Sequence, residues 1–81
     1  MNINLFVNDK LEAMATDITA AELREEAETM CDELNAVASS GPLEVFRVDY
    51  VDADDPRRRI VIERDARTPR YYMSYWEVET I

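Results

Sequence analysis

Six carboxylates lie close together in a segment of this chain that has helical periodicity. They are Glu22, Glu25, Glu26, Glu28, Asp32 and Glu33. Residues three or four apart lie on the same side of a helix, so these acids should form one negative surface, with Arg24 as the only cation in the segment. A rigid row of carboxylates can take the place of phosphates in a basic groove. The pattern predicts recognition of a positively charged surface, although solubility or adaptation to salt would produce the same acids.

A second group of residues combines arginines with aromatic and thioether side chains. The group is Arg57, Arg59, Tyr71, Met73 and Tyr75. Guanidinium groups contact phosphates and aromatic rings stack on bases, so the group has the composition of a surface that binds single strands. Strand alternation divides the neighbouring arginines between two faces, and aspartates lie just upstream. The group therefore indicates an alternative contact surface, for a homodimer, an assembly factor or weak nucleic-acid binding.

Other chemistries have little support in the sequence. The chain has no histidine, which excludes Ser-His-Asp and Cys-His catalysis and histidine-dependent metal sites. Asp52, Asp54 and Asp55 are spaced like calcium ligands, but the required glycine is missing and Pro56 interrupts the loop, so a turn is the better interpretation. Cys31, the only cysteine, is expected to be a small core residue. We expect no catalytic residues, no cofactor and no metal.

Length and charge narrow the class of partner. The 81 residues predict a single domain over 1–81, and 18 acids against 9 bases give a net charge of −9. This excess argues against generic binding to DNA, RNA or an anionic membrane and favours a basic protein. No apolar run approaches the roughly 20 residues of a membrane span, and no signal peptide is apparent. The protein is expected to be cytoplasmic, with its oligomeric state open.

The acids are positioned by a predicted helix from Thr19 to Gly41. Thr19 is a good N-cap, and Glu22 follows at the spacing of a capping box. Gly41 and Pro42 should end the helix. Apolar residues recur at spacings of four and three, at Leu23, Ala27, Met30, Leu34 and Val37. This stripe predicts that the side opposite the acids packs against a sheet.

The rest of the chain predicts strands. Residues 2–8 alternate like a short strand, after which Asn8 is expected to cap a short helical segment from Asp9 to Ala15. Three strands are predicted over residues 43–51, 57–65 and 70–80, joined by turns at 52–56 and 66–69. The predicted fold is α+β, with one long acidic helix packed on a three-stranded antiparallel meander and a short N-terminal strand or helical turn beside it.

Alternation also assigns the faces of the predicted sheet. The face toward the helix should carry Phe46, Val48, Tyr50, Ile60, Ile62, Tyr72, Trp76 and Val78. Tyr71, Met73 and Tyr75 should point outward, because they are in phase with Glu77 and Glu79. A register slip of one residue would reverse this assignment.

The size and charge are similar to those of small acidic phage-encoded inhibitors of bacterial defence, such as anti-CRISPR or anti-restriction proteins. This resemblance in composition implies a non-enzymatic DNA mimic that blocks a basic nucleic-acid-binding site on a partner protein or complex. In that interpretation the protein works in the cytoplasm of a host cell and does not bind nucleic acid directly. The alternative is an interaction module that acts through the arginine and aromatic sheet face.

Overall fold

A computed structural model describes residues 1–38, 44–65, 67 and 70–76 of the chain. Within these residues it has five strands and one helix, namely β1 (Ile3–Val7), β2 (Lys10–Ala15), α1 (Ala20–Ala38), β3 (Arg47–Asp52), β4 (Arg59–Arg64) and β5 (Tyr71–Trp76). The strands form one antiparallel sheet in the order β2-β1-β3-β4-β5. The helix packs on one face, chiefly over β4 and β5. Over the described part of the chain, no helix combines the length and the apolar character that a membrane crossing needs.

The prediction of a three-stranded meander is wrong, because the N-terminal segment adds a whole hairpin to the sheet. Residues 10–15 form β2 and not a helix. Asn8 and Asp9 have φ angles of 51° and 66°, and such a two-residue turn matches the twist of the strands on either side. Asn8 does not cap a helix, since its Oδ1 accepts hydrogen bonds from the amides of Phe46 at 2.8 Å and Arg47 at 3.1 Å. These bonds tie the hairpin to the start of β3.

The predicted start of the helix is confirmed. The amide of Glu22 donates to Thr19 Oγ1 at 3.1 Å, and the amide of Thr19 donates to Glu22 Oε1 at 3.0 Å, which is a reciprocal capping box. The predicted stop at Gly41 and Pro42 lies outside the described residues. Leu23, Ala27, Cys31 and Ala38 are buried, while Val37 is 46% exposed. The stripe is therefore right in period, but Val37 lies at its exposed edge.

The core lies between α1 and the face of the sheet that carries the predicted apolar residues of β3 and β4. Val48, Tyr50, Ile60 and Ile62 are all buried there, as alternation predicted. Strand β1 adds Ile3, with Leu5 and Val7 partly buried beside it. Phe46 was expected in the same set, but it precedes β3 and is 62% exposed.

The face prediction for the last strand is wrong by one residue. Tyr75 lies directly opposite Ile60, and Met73 lies opposite Ile62. Residues that face each other across antiparallel strands share a face of the sheet, so Tyr71, Met73 and Tyr75 point toward α1 and pack against the core. Tyr72 and Trp76, expected inside, belong to the opposite face. The remaining members of the prediction, residues 77–79, lie outside the described residues.

Candidate binding surfaces

All six acids of the predicted site are exposed on α1. Helical spacing arranges them in two rows, which we name by the strand beneath each. The β3-side row is Glu22, Glu26 and Glu33, and the β5-side row is Glu25, Glu28 and Asp32. We call the two rows together the acidic surface.

Two tyrosines of the sheet show on which side each row lies. The hydroxyl of Tyr75 on β5 donates to Glu28 Oε1 at 3.4 Å. Burial raises the pKa of Tyr50 on β3 to about 12, and the negative charges of Glu26 and Glu33 add to this shift. The acids therefore flank α1 on both sides as well as covering its outer surface.

An open groove begins where the β3-side row meets the end of β2. It has a volume of about 530 Å³ and is lined by Ala15, Thr16, Asp17, Ile18, Glu22, Glu25, Glu26 and Thr29. The wall opposite α1 is held in place because the amide of Asp17 donates to Asn2 Oδ1 at 3.3 Å and the amide of Ile18 donates to the Met1 carbonyl at 3.0 Å. The hydrogen bond from the Thr19 amide holds the pKa of Glu22 below its usual value. Carboxylates on both walls suit the groove to a lysine or arginine side chain of a partner.

The sheet presents a second candidate surface on the side away from α1, which we call the open face. Cross-strand pairing arranges its side chains in three rows. They are Met14, Asn4, Val51, Arg59 and Trp76; Leu11, Phe6, Asp49, Val61 and Ser74; and Arg47, Glu63 and Tyr72.

A buried carboxylate organises the centre of the open face. Asp49 is 5% exposed, and it accepts hydrogen bonds from Arg47 Nε at 2.7 Å and Arg47 Nη2 at 2.9 Å. This bond raises the pKa of Arg47. Arg59 also approaches this carboxylate, with Nη1 3.9 Å from Asp49 Oδ2. Sequence analysis missed this cluster, although alternating opposite charges at positions 47 and 49 of one strand were a readable sign of a same-face ion pair.

The predicted arginine and aromatic group is not brought together. Arg59 belongs to the open face and Arg57 lies in the turn before β4, but Tyr71, Met73 and Tyr75 lie on the other side of the sheet. Large apolar side chains of the open face are instead Leu11, Met14, Tyr72 and Trp76, which are 48%, 73%, 50% and 56% exposed. The alternative surface therefore has the expected chemistry but different residues.

The acidic turn and the cysteine have local structural roles. The Asp52 carboxylate accepts the amide of Asp54 at 2.9 Å and lies 3.7 Å from Arg58 Nη1, while Asp55 pairs with Arg57 at 3.0 Å. Among the described residues, no group of three or more histidine, cysteine or acidic side chains could hold a metal ion. Cys31 is buried, and its thiol lies 3.7 Å from the Tyr71 carbonyl. Burial raises the pKa of this thiol, as suits a core residue.

The two surfaces differ in charge. Arginines of the open face and of the turn before β4 pair with acids of the sheet and of that turn, at Asp49, Asp52, Asp55 and Glu63. The acidic surface lies on the opposite side, on a helix whose first turn is fixed by its cap.

Comparison of the chain with protein-family models, with curated proteins and with solved structures found no match.

Proposed function

We propose that this chain is a non-enzymatic binding protein whose acidic surface blocks a basic, nucleic-acid-binding site on a partner protein. The observation that supports this proposal is that all six acids are exposed on one helix, whose apolar stripe is buried against the sheet. In this proposal the protein is an inhibitor of the anti-CRISPR or anti-restriction type, a DNA mimic that acts in the cytoplasm of a host cell.

The arrangement of the acids favours recognition over general solubility. Neighbours in the β5-side row are three or four residues apart, which puts their Cβ atoms about 5–6 Å apart. In the β3-side row Glu22 and Glu26 have the same spacing, whereas Glu33 follows Glu26 two turns later, about 10 Å along the axis. A basic groove would meet two parallel lines of negative charge on a rigid support, as it does on a nucleic acid. The groove beside Asp17 and Glu22 would accept one cationic side chain at the end of these lines. Net charge of −9 would also steer the encounter.

Charge reversal of one row at a time tests this proposal. We expect Glu25→Lys/Asp32→Lys and Glu26→Lys/Glu33→Lys each to weaken binding, mainly through slower association where the charges steer and through faster dissociation where they are desolvated. Partners are captured from host lysate and eluted with duplex DNA, which selects proteins held through a nucleic-acid site. Surface plasmon resonance then gives both rates for each variant.

The matched control is Leu11→Ser/Met14→Ser, which changes two exposed residues on the open face. It should leave affinity for the captured partner unchanged. If both charge reversals kept the wild-type affinity while the control variant lost it, the acidic surface would not be the contact and the proposal would be wrong. Circular dichroism checks that each variant is folded.

A second candidate function is an interaction module, either a homodimer or an assembly factor, that acts through the open face. The specific observation in its favour is the exposure of four large apolar side chains on a face that α1 does not cover. Sedimentation equilibrium decides whether the mass rises with concentration. In this alternative, Leu11→Ser/Met14→Ser would return the protein to a monomer, and charge reversal on α1 would not.

A further inference from the structure

The open face contains a cavity whose lining is chemically unlike the rest of this acidic molecule. It has a volume of about 510 Å³ and is lined by Arg47, Arg57, Arg59 and Trp76. The volume lies within the range of small-molecule sites. Among the described residues, the lining thus consists of three guanidinium groups and one indole, on a protein of net charge −9.

The two central guanidinium groups are fixed by bonds that leave the same nitrogen for a ligand. Arg47 uses Nε and Nη2 to hold Asp49. Arg59 uses Nε and Nη2 to hold the Pro56 carbonyl, at 2.8 Å and 2.6 Å. Among the described residues, each Nη1 pairs with an acid at 3.9 Å, Glu63 for Arg47 and Asp49 for Arg59, which is beyond hydrogen-bonding distance. Both side chains are therefore oriented in advance, and within the described part of the chain neither Nη1 donates a hydrogen bond.

Trp76 adds a stacking surface to these donors. It lies directly opposite Arg59 on the neighbouring strand, and the residue is 56% exposed. An indole exposed beside arginines can stack on a planar ring whose charged group meets the guanidinium donors. A ligand with both an aromatic ring and a doubly charged anionic group could contact Trp76 and the Nη1 atoms of Arg47 and Arg59 at the same time.

We propose that this cavity binds a nucleoside phosphate, with the base stacked on Trp76 and the phosphate bound by Nη1 of Arg47 and Arg59. The cavity is separate from the acidic surface, so this site is independent of the proposed inhibitory contact.

The charge distribution favours a free nucleotide over a nucleic-acid strand. A single phosphate can contact the cavity arginines directly. A strand leaving the cavity would carry further phosphates past Asp55 and Glu63, which lie beside the cavity arginines, within about one Debye length, ~8 Å in physiological salt. These acids would repel the further phosphates, so additional nucleotides should weaken binding instead of strengthening it.

Emission from Trp76 tests the proposal directly, because it is the only tryptophan in the chain. Adenosine monophosphate should quench it saturably. Adenosine lacks the phosphate and inorganic phosphate lacks the base, so each should bind about tenfold more weakly than the nucleotide, or worse. A single-stranded oligoadenylate should bind no better than the mononucleotide. Calorimetry on the same probes gives the affinities without relying on emission.

Two variants and one control locate the site. Arg59→Gln should weaken the binding of adenosine monophosphate about tenfold or more, because one charged donor is lost. Trp76→Leu should also weaken this binding, measured by calorimetry. Lys10→Gln removes a positive charge from an exposed residue of β2 outside the cavity and should change nothing. Circular dichroism shows whether each variant is folded. If Arg59→Gln does not fold, Trp76→Leu still tests the proposal.

Several outcomes would overturn the proposal. They are absence of saturable quenching at millimolar nucleotide, equal affinity for inorganic phosphate and the nucleotide, and unchanged affinity in folded Arg59→Gln and Trp76→Leu. Tighter binding of the oligonucleotide, with a steep decrease in added salt, would assign the cavity to a strand and overturn the free-nucleotide assignment.

Discussion

Asn35 on α1 hydrogen-bonds to both backbone groups of Tyr71 on β5. The Tyr71 amide donates to Asn35 Oδ1 at 2.7 Å, and Asn35 Nδ2 donates to the Tyr71 carbonyl at 3.1 Å. The phenol of Tyr71 reaches back to the Val45 carbonyl at 2.6 Å. One side-chain amide thus joins the helix to the first residue of the last strand of the described sheet, and it fixes the face on which β5 presents its side chains.

We expect Asn35→Ala to destabilise the protein by about 1–3 kcal/mol, because it leaves an amide and a carbonyl of the strand without their partner in a partly buried place. Urea unfolding followed by circular dichroism measures the change. Hydrogen exchange should show the largest loss of protection in β5. The control is Asp32→Ala, an exposed change in the same helix that should have little effect. Equal stability of the two variants would show that the Asn35 bonds contribute nothing.

This contact also explains why the faces of β5 could not be read from the sequence. The strand has large side chains in both phases, with Tyr71, Met73 and Tyr75 against Tyr72 and Trp76, so alternation alone fits either orientation. The decisive partner, Asn35, lies 36 residues away. In β3 and β4, by contrast, apolar residues occupy one phase more consistently, and the predicted inward positions of Val48, Tyr50, Ile60 and Ile62 are confirmed.

The loss of stability on shortening an apolar side chain of α1 should increase with the burial of that side chain. Leu23 is 1% exposed, so Leu23→Ala should reduce the free energy of unfolding by about 2–5 kcal/mol. Leu34 is only partly buried, and Leu34→Ala should cost less than Leu23→Ala. Val37→Ala is the matched control at an exposed edge of the stripe and should have the smallest effect. Thermal and urea melts of the three variants check this order. A reversed order would show that the described packing of the helix on the sheet is wrong.

The N-terminal hairpin was missed for a different reason. Strand β2 is formed by KLEAMA, whose residues favour helix locally and are exposed along nearly the whole strand. Pairing with β1 overrides this local preference, and a bulge at Leu5/Phe6 interrupts the register. The readable signal was the Asn8-Asp9 pair between two strand-length segments, since both residue types tolerate positive φ. Asn8 was instead predicted to cap a helical segment from Asp9 to Ala15, because Asn also begins helices.

Glu22 should make the stability of the capping box depend on pH. Its pKa is lowered by the Thr19 hydrogen bonds from a usual value of 4.5, so the ionised form is favoured by folding. The resulting stabilisation is present above the unfolded-state pKa and is lost as pH falls through the lower pKa of the folded state. The advantage of the wild type over Glu22→Gln should therefore shrink in acid. Urea melts across this range measure it, with nuclear magnetic resonance of the Glu22 carboxyl as a direct check.

The matched comparison for this titration is Glu25→Gln, which removes an exposed carboxylate from the next turn of the same helix. This variant keeps the Thr19–Glu22 hydrogen bonds, so the comparison isolates the contribution of the capping box. If both variants changed equally with pH, general repulsion among the helix acids would explain the titration, and the Thr19 hydrogen bonds would not.

Dependence on salt separates recognition from adaptation to a salty environment. If the acids served salt adaptation, self-repulsion would leave much of the protein unfolded in dilute buffer, and added salt would fold it. We expect the opposite, a folded protein at low ionic strength with only modest further stabilisation, because the apolar core between α1 and the sheet does not depend on screening. Circular dichroism and urea melts against sodium chloride measure this. Glu25→Lys/Asp32→Lys, which relieves repulsion, should flatten the remaining dependence, and a largely unfolded wild type in dilute buffer would favour salt adaptation over a role in binding.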